Sequence, residues 1–212
     1  MRIKVFIADD HALVRKGLRQ IFEESEDIEV VGEAADYAGL AAGVREIAFD
    51  VLVLDISMPG RNGIEALKLL LKDKPRLKAL IVSMYPEDQF ALRALKAGAK
   101  GYLTKTSGPD NLVDALHQIA AGRKFLTPAV ALALAENVTG GNGDTPGHST
   151  LSDREFQTLK LIASGRKLSE IAAQMALSAK TVSVYRARLL EKLSMKTNSE
   201  LTRYALENQL VE

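Results

Sequence analysis

Apolar and polar positions alternate along the first half of the chain in two distinct rhythms. Ile3-Lys4-Val5-Phe6-Ile7-Ala8 reads as a strand, and Leu13, Leu18, Ile21 and Phe22 follow it at helical spacing. Ile28 to Gly32 forms a second strand and Tyr37 to Ile47 a second helix. Val51-Leu52-Val53-Leu54 is apolar throughout, as in a strand covered on both faces. The series continues with helix Ile64 to Leu71, strand Ala79 to Ser83, helix Asp88 to Lys96, strand Gly101 to Leu103 and helix Asp110 to Ala121. Strands that alternate with helices of this length predict βαβ units and a parallel sheet. Residues 1–122 therefore read as a flavodoxin-like α/β domain, a doubly wound five-stranded parallel sheet.

One more helix is expected from Thr127 to Asn137, with Pro128 near its start. The composition then changes, because Thr139 to Thr150 holds four glycines and a proline but no large apolar residue. As a coil, these 12 residues would span roughly 17–21 Å in root-mean-square distance. Residues 123–150 are thus expected to be a linker, a short helix followed by a flexible tether. Beyond it, residues 151–212 carry no strand pattern and predict a small all-α domain. Ser152 and Glu155 have capping-box spacing at the start of its first helix. Helices from Ser169 to Met175 and from Ala179 to Leu193 are separated by Ala176-Leu177-Ser178, a helix-turn-helix arrangement, and a last helix runs from Ser199 to Asn208.

Composition narrows the chemistry. The 212 residues are 47% hydrophobic and 26% charged, normal for a globular protein. The absence of cysteine excludes disulfides, thiolate metal sites and cysteine nucleophiles. No apolar run is long enough for a membrane span and Met1-Arg2-Ile3-Lys4 does not open a signal peptide, so a cytoplasmic location is expected. A net charge of +1 gives no hint of nucleic acid until it is divided along the chain. Residues 1–124 hold 18 basic and 18 acidic side chains. Residues 164–196 hold seven basic side chains against Glu170 and Glu191, a local charge of +5 in 33 residues. A basic patch on a short helical domain is the footprint of phosphate-backbone binding.

Ligands of a doubly wound sheet bind outside the carboxyl ends of its strands. Those ends carry Asp9-Asp10, Asp55, Ser83 and Thr104-Lys105. Taken singly, Asp10 suits a helix N-cap, Asp55 a turn and Lys105 a solvated loop. Together, three carboxylates on one edge repel one another, and a hard divalent cation such as Mg²⁺ is the economical remedy. A lysine and a hydroxyl beside them suit the remaining oxygens of a phosphoryl group. In the helical half, Val182, Leu189 and Leu193 form an inward stripe on the helix from Ala179. Lys180, Ser183, Val184, Ala187, Arg188 and Glu191 then face outward, small residues among basic ones, as a helix entering a DNA groove requires.

The first half resembles the receiver domain of bacterial two-component response regulators, on Ala8-Asp9-Asp10-His11, Leu54 to Gly60, Val82-Ser83 and Ala97 to Lys105. The resemblance implies that Asp55 accepts a phosphoryl group from a sensor histidine kinase. It implies Mg²⁺ held by Asp10, Asp55 and the backbone carbonyl of Ser57, with Asp9 acting through water. Lys105 would pair with the phosphate, and Ser83 and Tyr102 would be the switch pair, the ring turning inward. Thr106 stands where many such domains have proline. The second half resembles the DNA-binding domain of the NarL/FixJ (LuxR-type) regulators, on Leu151 to Glu155, Ala163-Ser164-Gly165, Glu170-Ile171-Ala172, Leu177-Ser178, Lys180-Thr181-Val182 and Lys192-Leu193. It implies phosphate contacts from Lys180, Thr181 and Tyr185 and base contacts from Ser183, Val184 and Ala187. Ser183 and Tyr185 depart from the lysine and histidine common there, which shifts weight onto Arg186 or Arg188, and Lys192 completes the expected set. The Tyr185-Arg186-x-Arg188 pattern is most similar to the GacA/UvrY subgroup.

The reading is of a transcription factor whose dimerisation and binding to double-stranded DNA respond to phosphorylation, and which catalyses only its own phosphotransfer and dephosphorylation. A single helix-turn-helix module makes a small interface, so a homodimer on paired half-sites is expected. Two alternatives stay open on sequence. A haloacid-dehalogenase-type phosphohydrolase also uses acids, a hydroxyl, a lysine and Mg²⁺, but needs an Asp-x-Asp nucleophile motif on its first strand. A phosphorylation-independent regulator would use the first domain only to dimerise.

Overall fold

The computed structural model describes residues 2–59, 61–139 and 147–211, and the chain divides into two units, Met1–Thr139 and Gly140–Glu212. In the first, β1 (Ile3–Ala8), β2 (Ile28–Ala34), β3 (Val51–Leu54), β4 (Ala79–Ser83) and β5 (Gly101–Thr104) form one sheet in the order β2-β1-β3-β4-β5. Every pairing is parallel. Helices α1 (Ala12–Glu23), α2 (Tyr37–Glu46), α3 (Gly63–Asp73), α4 (Glu87–Lys96) and α5 (Pro109–Ala120) connect them in alternation. This is the doubly wound, flavodoxin-like architecture that the hydrophobic rhythm predicts.

The sheet's interior explains that rhythm. All of β3 and β4 is buried, which is why their sequences lack alternation, whereas the edge strand β2 exposes Glu29. Val5, Ile7, Val51, Val53, Leu80 and Val82 pack with Leu18 and Phe22 of α1 and Leu112, Leu116 and Ile119 of α5. Phe6 points to the other face, where a Cβ on Gly43 of α2 would lie 2.4 Å from its ring. Leu13 departs from the expectation. It is 83% exposed, because its place on α1 lies off the face that carries Leu18 and Phe22.

The strand order reverses direction at β1 and β3, the switch point where the crevice of such a sheet opens. Register does the rest. Ala8 pairs with Leu54, so Asp9 and Asp55 emerge side by side, and Asp55 N–H donates to the Ala8 carbonyl at 2.8 Å. Ser83 pairs with Thr104, and Lys105 N–H donates to the Ser83 carbonyl at 2.8 Å.

The segment expected to begin a linker at residue 123 instead continues the first unit. Phe125 bridges to Gly101 of β5, and α6 (Pro128–Thr139) packs against α4 with Val130 buried. Thr127 Oγ1 donates to Glu87 of α4. The physical reason is that Val130 and Phe125 supply apolar surface that a free linker would leave in water. Of the expected tether, residues 140–146 lie outside the described residues, while Gly147–Thr150 forms a 3₁₀ turn whose His148 N–H donates to Tyr204 Oη at 2.9 Å.

The second unit comprises that turn and α7 (Asp153–Ala163), α8 (Leu168–Gln174), α9 (Ala179–Lys192) and α10 (Asn198–Glu207), around Phe156, Leu159, Ile171, Val182, Leu189 and Leu201. The Ser152–Glu155 capping box forms as the spacing predicts. Between α8 and α9, Ala176 adopts φ 52° to close the turn, and the Ser178 hydroxyl accepts from Thr181 N–H at 3.1 Å to start α9.

Candidate functional site

At the carboxyl end of the sheet, ligand atoms of Asp9, Asp10, His11 and Asp55 lie within 4.8 Å of one another. Asp9 and Asp55 are each 2% exposed. Lys105 Nζ donates to Asp9 Oδ2 at 2.5 Å and to Asp55 Oδ2 at 3.0 Å. Asp9 Oδ1 accepts the His11 backbone N–H at 2.8 Å, so both of its oxygens are engaged. Asp55 Oδ1 and Asp10 Oδ1 are buried without a hydrogen-bond partner. The His11 imidazole Nδ1 is 2.7 Å from Asp10 Oδ1, out of hydrogen-bond alignment. A buried Asp55 oxygen without a hydrogen-bond partner, among clustered carboxylates, is costly unless something positive meets it. The three carboxylates of this cluster suit a hard divalent cation, and the pocket is compatible with metal binding.

The local charges follow from burial and proximity. Burial pushes the Asp55 carboxyl above its usual range, Lys105 opposes that shift, and the Asp9 charge adds to it. Burial alone would lower Lys105, but Asp55 and Asp9 together hold it above its ordinary value. The Ser57 backbone N–H lies near enough to the Asp55 carboxylate to offset a little of its rise. Gly63, at the start of α3, closes the turn after β3, because a Cβ there would sit 2.0 Å from the Asp55 carbonyl oxygen.

Ser83 ends β4 fully buried, where its Oγ accepts the Tyr85 N–H at 3.4 Å and lies near the Tyr102 hydroxyl. The Tyr102 ring is 1% exposed and its hydroxyl donates to the Tyr85 carbonyl at 2.7 Å. Burial pushes that phenol far up, so it remains a donor. Tyr102 thus occupies the inward position, and Tyr85, stacked on Phe90 of α4 with centroids 4.5 Å apart, completes the contact.

Several site features escaped the sequence reading. Asp10 does not cap α1, since His11 holds the N-cap position with no side-chain bond. That leaves His11 beside the carboxylates, a place signalled only by its following Asp10. Asn62, buried, caps α3 through its Oδ1 to Ile64 N–H at 2.8 Å, which an Asn just before a helical run foreshadows.

In the second unit Val182 and Leu189 are buried, Leu193 is half-buried, and Lys180, Ser183, Val184, Ala187, Arg188 and Glu191 are exposed, the two faces that the periodicity predicts for α9. Thr181 and Tyr185 lie half-buried at the edges. Ser183 Oγ donates back to the Ala179 carbonyl at 2.9 Å. Two residues expected to face DNA are engaged elsewhere. Arg186 donates to Asn198 Oδ1 of α10, and Lys192 Nζ donates to Glu155 Oε2 at 2.7 Å. Glu155 is 2% exposed. Burial would raise its carboxyl, but Lys192 and Ser152 outweigh that and hold it below the usual range. Lys192 therefore ties the end of α9 to the start of α7.

Comparison with known proteins matches these two sites to two families. Residues 5–117 match the response regulator receiver domain, and residues 149–205 match the bacterial regulatory proteins of the luxR family. The chain is 38% identical to the response regulator GacA of Pseudomonas aeruginosa, over 99% of this chain and 98% of that one. It is 34% identical to the response regulator UvrY of Escherichia coli K12, over 98% and 95%. Among solved structures, RcsB of Salmonella enterica serovar Typhimurium, bound to the rprA promoter in the presence of the phosphomimetic BeF₃⁻, is 29% identical with a TM-score of 0.66, over 96% of this chain and 98% of that one. No helix among the described residues is long and apolar enough to cross a membrane. The buried acidic end of the sheet and the basic face of α9 thus belong to a response regulator, a receiver domain joined to a luxR-family DNA-binding domain.

Proposed function

We propose that Asp55 accepts a phosphoryl group from the phosphohistidine of a sensor histidine kinase and that the aspartyl phosphate promotes dimerisation and binding to promoter DNA. The observation that carries this reading is the buried, unpartnered Asp55 Oδ1 within the acidic cluster, with Lys105 on the opposite oxygen of the same carboxylate. A free oxygen lone pair is what a nucleophile needs. In the transfer, an Asp55 oxygen forms the new bond to phosphorus as the P–N bond of the phosphohistidine breaks. Hydrolysis of the resulting acyl phosphate by water returns the carboxylate and inorganic phosphate.

In this reading Asp10, Asp55 and the Ser57 carbonyl hold Mg²⁺, with Asp9 acting through water. Asp9 suits that outer role because both of its oxygens are already bonded. The cation supplies charge neutralisation for the transferring oxygens. Lys105 moves its donors from the carboxylates to a phosphoryl oxygen, and Ser83 Oγ donates to another. Ser83 Oγ also accepts the Tyr85 N–H, so its turn toward the phosphate would release Tyr85 and, through the Tyr85 carbonyl that Tyr102 holds, Tyr102 and the start of α4.

On the DNA side, Lys180, Thr181, Tyr185 and Arg188 contact phosphates, and Ser183, Val184 and Ala187 face base edges. Arg186 and Lys192 act chiefly by fixing α9 on α10 and α7. The relative RcsB has been seen with promoter DNA and as two dimers on two parallel DNAs, which supports a dimeric, DNA-bound state. A regulator of this kind works in the cytoplasm, where its DNA is.

Acetyl phosphate with Mg²⁺ tests the reading. Mass spectrometry is expected to show one phosphoryl group per chain on Asp55 and none on Asp55→Asn. Labelling that persists in Asp55→Asn, or that proceeds equally in EDTA, would overturn it.

A further inference from the structure

The loop that carries Asp9 and Asp10 into α1 has no side-chain cap, since His11 at the N-cap position makes no such bond. Its hold comes from β2 instead. Asp9 N–H donates to the Ala34 carbonyl at 3.1 Å. On the other side of the same residue, the Asp9 carbonyl accepts Arg15 Nη1 at 2.7 Å. Arg15 Nε donates to Glu33 Oε2 at 3.2 Å, and Glu33 precedes Ala34 at the end of β2. The second Glu33 oxygen accepts Arg19 Nε at 2.7 Å, so two guanidinium groups from successive turns of α1 grip one carboxylate.

This arrangement is more than a surface ion pair. The Arg15 side chain is 18% exposed, and its donors serve both a carboxylate and a main-chain oxygen. The planar peptide whose carbonyl Arg15 holds joins Asp9 to Asp10, so fixing that oxygen fixes the direction in which Asp10 leaves the strand. Lys105 holds the carboxylates of Asp9 and Asp55. Asp10 Oδ1 is buried and takes no hydrogen bond, so its place is set by the course of the backbone.

We propose, on the Mg²⁺ reading given above, that Arg15 anchored on Glu33 is a positioning residue of the acidic cluster. It holds the Asp9–Asp10 peptide so that Asp10 meets the cation beside Asp55. The clasp and simple electrostatics differ in sign. A guanidinium near a cation site repels the cation, so loss of its charge alone would tighten Mg²⁺, whereas loss of the clasp loosens it. Lysine would keep the charge, but it carries its donors on one atom and lacks the planar fork that spans the two oxygens.

Titration of Mg²⁺ into the full chain, followed by the amide shifts of residues 9–11 and 55–57, tests this. The unaltered chain is expected to saturate. Arg15→Gln is expected to raise the Mg²⁺ Kd about tenfold, the factor that loss of one charged hydrogen bond produces, and Arg15→Lys to raise it nearly as far. With acetyl phosphate, the Mg²⁺ concentration for half-maximal labelling of Asp55 should rise by the same factor, while the rate at saturating Mg²⁺ stays within about twofold. Without metal, hydrogen exchange of the His11 amide, which bonds Asp9 Oδ1, should quicken in Arg15→Gln while that of the β4 amides does not. Glu33→Gln should change the Kd far less in the Arg15→Gln background than in the unaltered chain. A Kd unchanged or lower in Arg15→Gln, or an Arg15→Lys chain that binds as the unaltered one does, would overturn the proposal and leave the Mg²⁺ reading standing. Additive effects of Arg15→Gln and Glu33→Gln, or quickened exchange throughout β4, would also overturn it. Absence of saturable shifts in the unaltered chain would overturn the Mg²⁺ reading and the proposal with it.

Discussion

Charge is used in opposite ways at the two ends of this chain. At the sheet edge, Asp9 and Asp55 are nearly inaccessible and share one lysine, itself 7% exposed. On α9, Lys180 and Arg188 stand in water with no carboxylate partner among the described residues. Buried charges interact strongly and are hard to remove singly, because each deletion strands a neighbour. Exposed charges act additively, through counterion release, and each contributes a little. One end is built for a chemical event and the other for graded attraction.

The sharpest contrast should come from Lys105. Lys105→Ala leaves two buried carboxylates facing each other and is expected to destabilise the receiver by about 3 kcal/mol in urea unfolding near pH 7. Millimolar Mg²⁺ should return part of that, since a ligand of the native state stabilises it by mass action. Equal stability with and without Lys105 would place the cluster in the exposed class.

Next comes Gly63→Ala, which drives a methyl against the Asp55 carbonyl. A loss of about 1–3 kcal/mol is expected, with slower labelling of Asp55 by acetyl phosphate.

Glu155 tests the helical unit. Its carboxyl is held below the ordinary range in the folded state, so its contribution is full at pH above the unfolded value and fades as pH falls through the lower folded value. Thermal stability of the DNA-binding unit should therefore fall on acidification, and Glu155→Gln should flatten that dependence. Lys192→Ala is expected to cost about 1 kcal/mol, its side chain being 40% exposed, and to leave the salt dependence of DNA binding nearly unchanged.

The smallest effect per residue is expected at Arg188. Arg188→Ala should weaken binding to all sequences alike and lower the slope of log K against log salt by about 1. An unchanged slope would remove Arg188 from the phosphate-contacting set.

The fold was legible because both units express their burial as period. The all-apolar β3 and β4 and the Val182–Leu189 stripe of α9 are one-dimensional signals of what each face touches. The acidic cluster was legible for a different reason, since its members sit directly after strands and the order of strands brings those ends together. What stayed hidden depends on contacts between distant segments. Nothing in the local sequence shows that Lys192 reaches Glu155, that Arg186 turns to Asn198, or that Gly63 backs onto Asp55. The clasp of Arg15 on Glu33 is similarly invisible, because the two residues stand 18 positions apart.

The docking of α6 on α4 bears on how the protein can be dissected. A cut after residue 122, where strands and helices stop alternating, would remove α6, leaving bare the α4 surface against which α6 buries Val130 and breaking the bond from Thr127 to Glu87. Such a fragment is expected to show a sticky apolar flank and to self-associate on concentration. Ending it at Thr139 keeps that flank covered, so the excised receiver should stay dispersed and melt in one step.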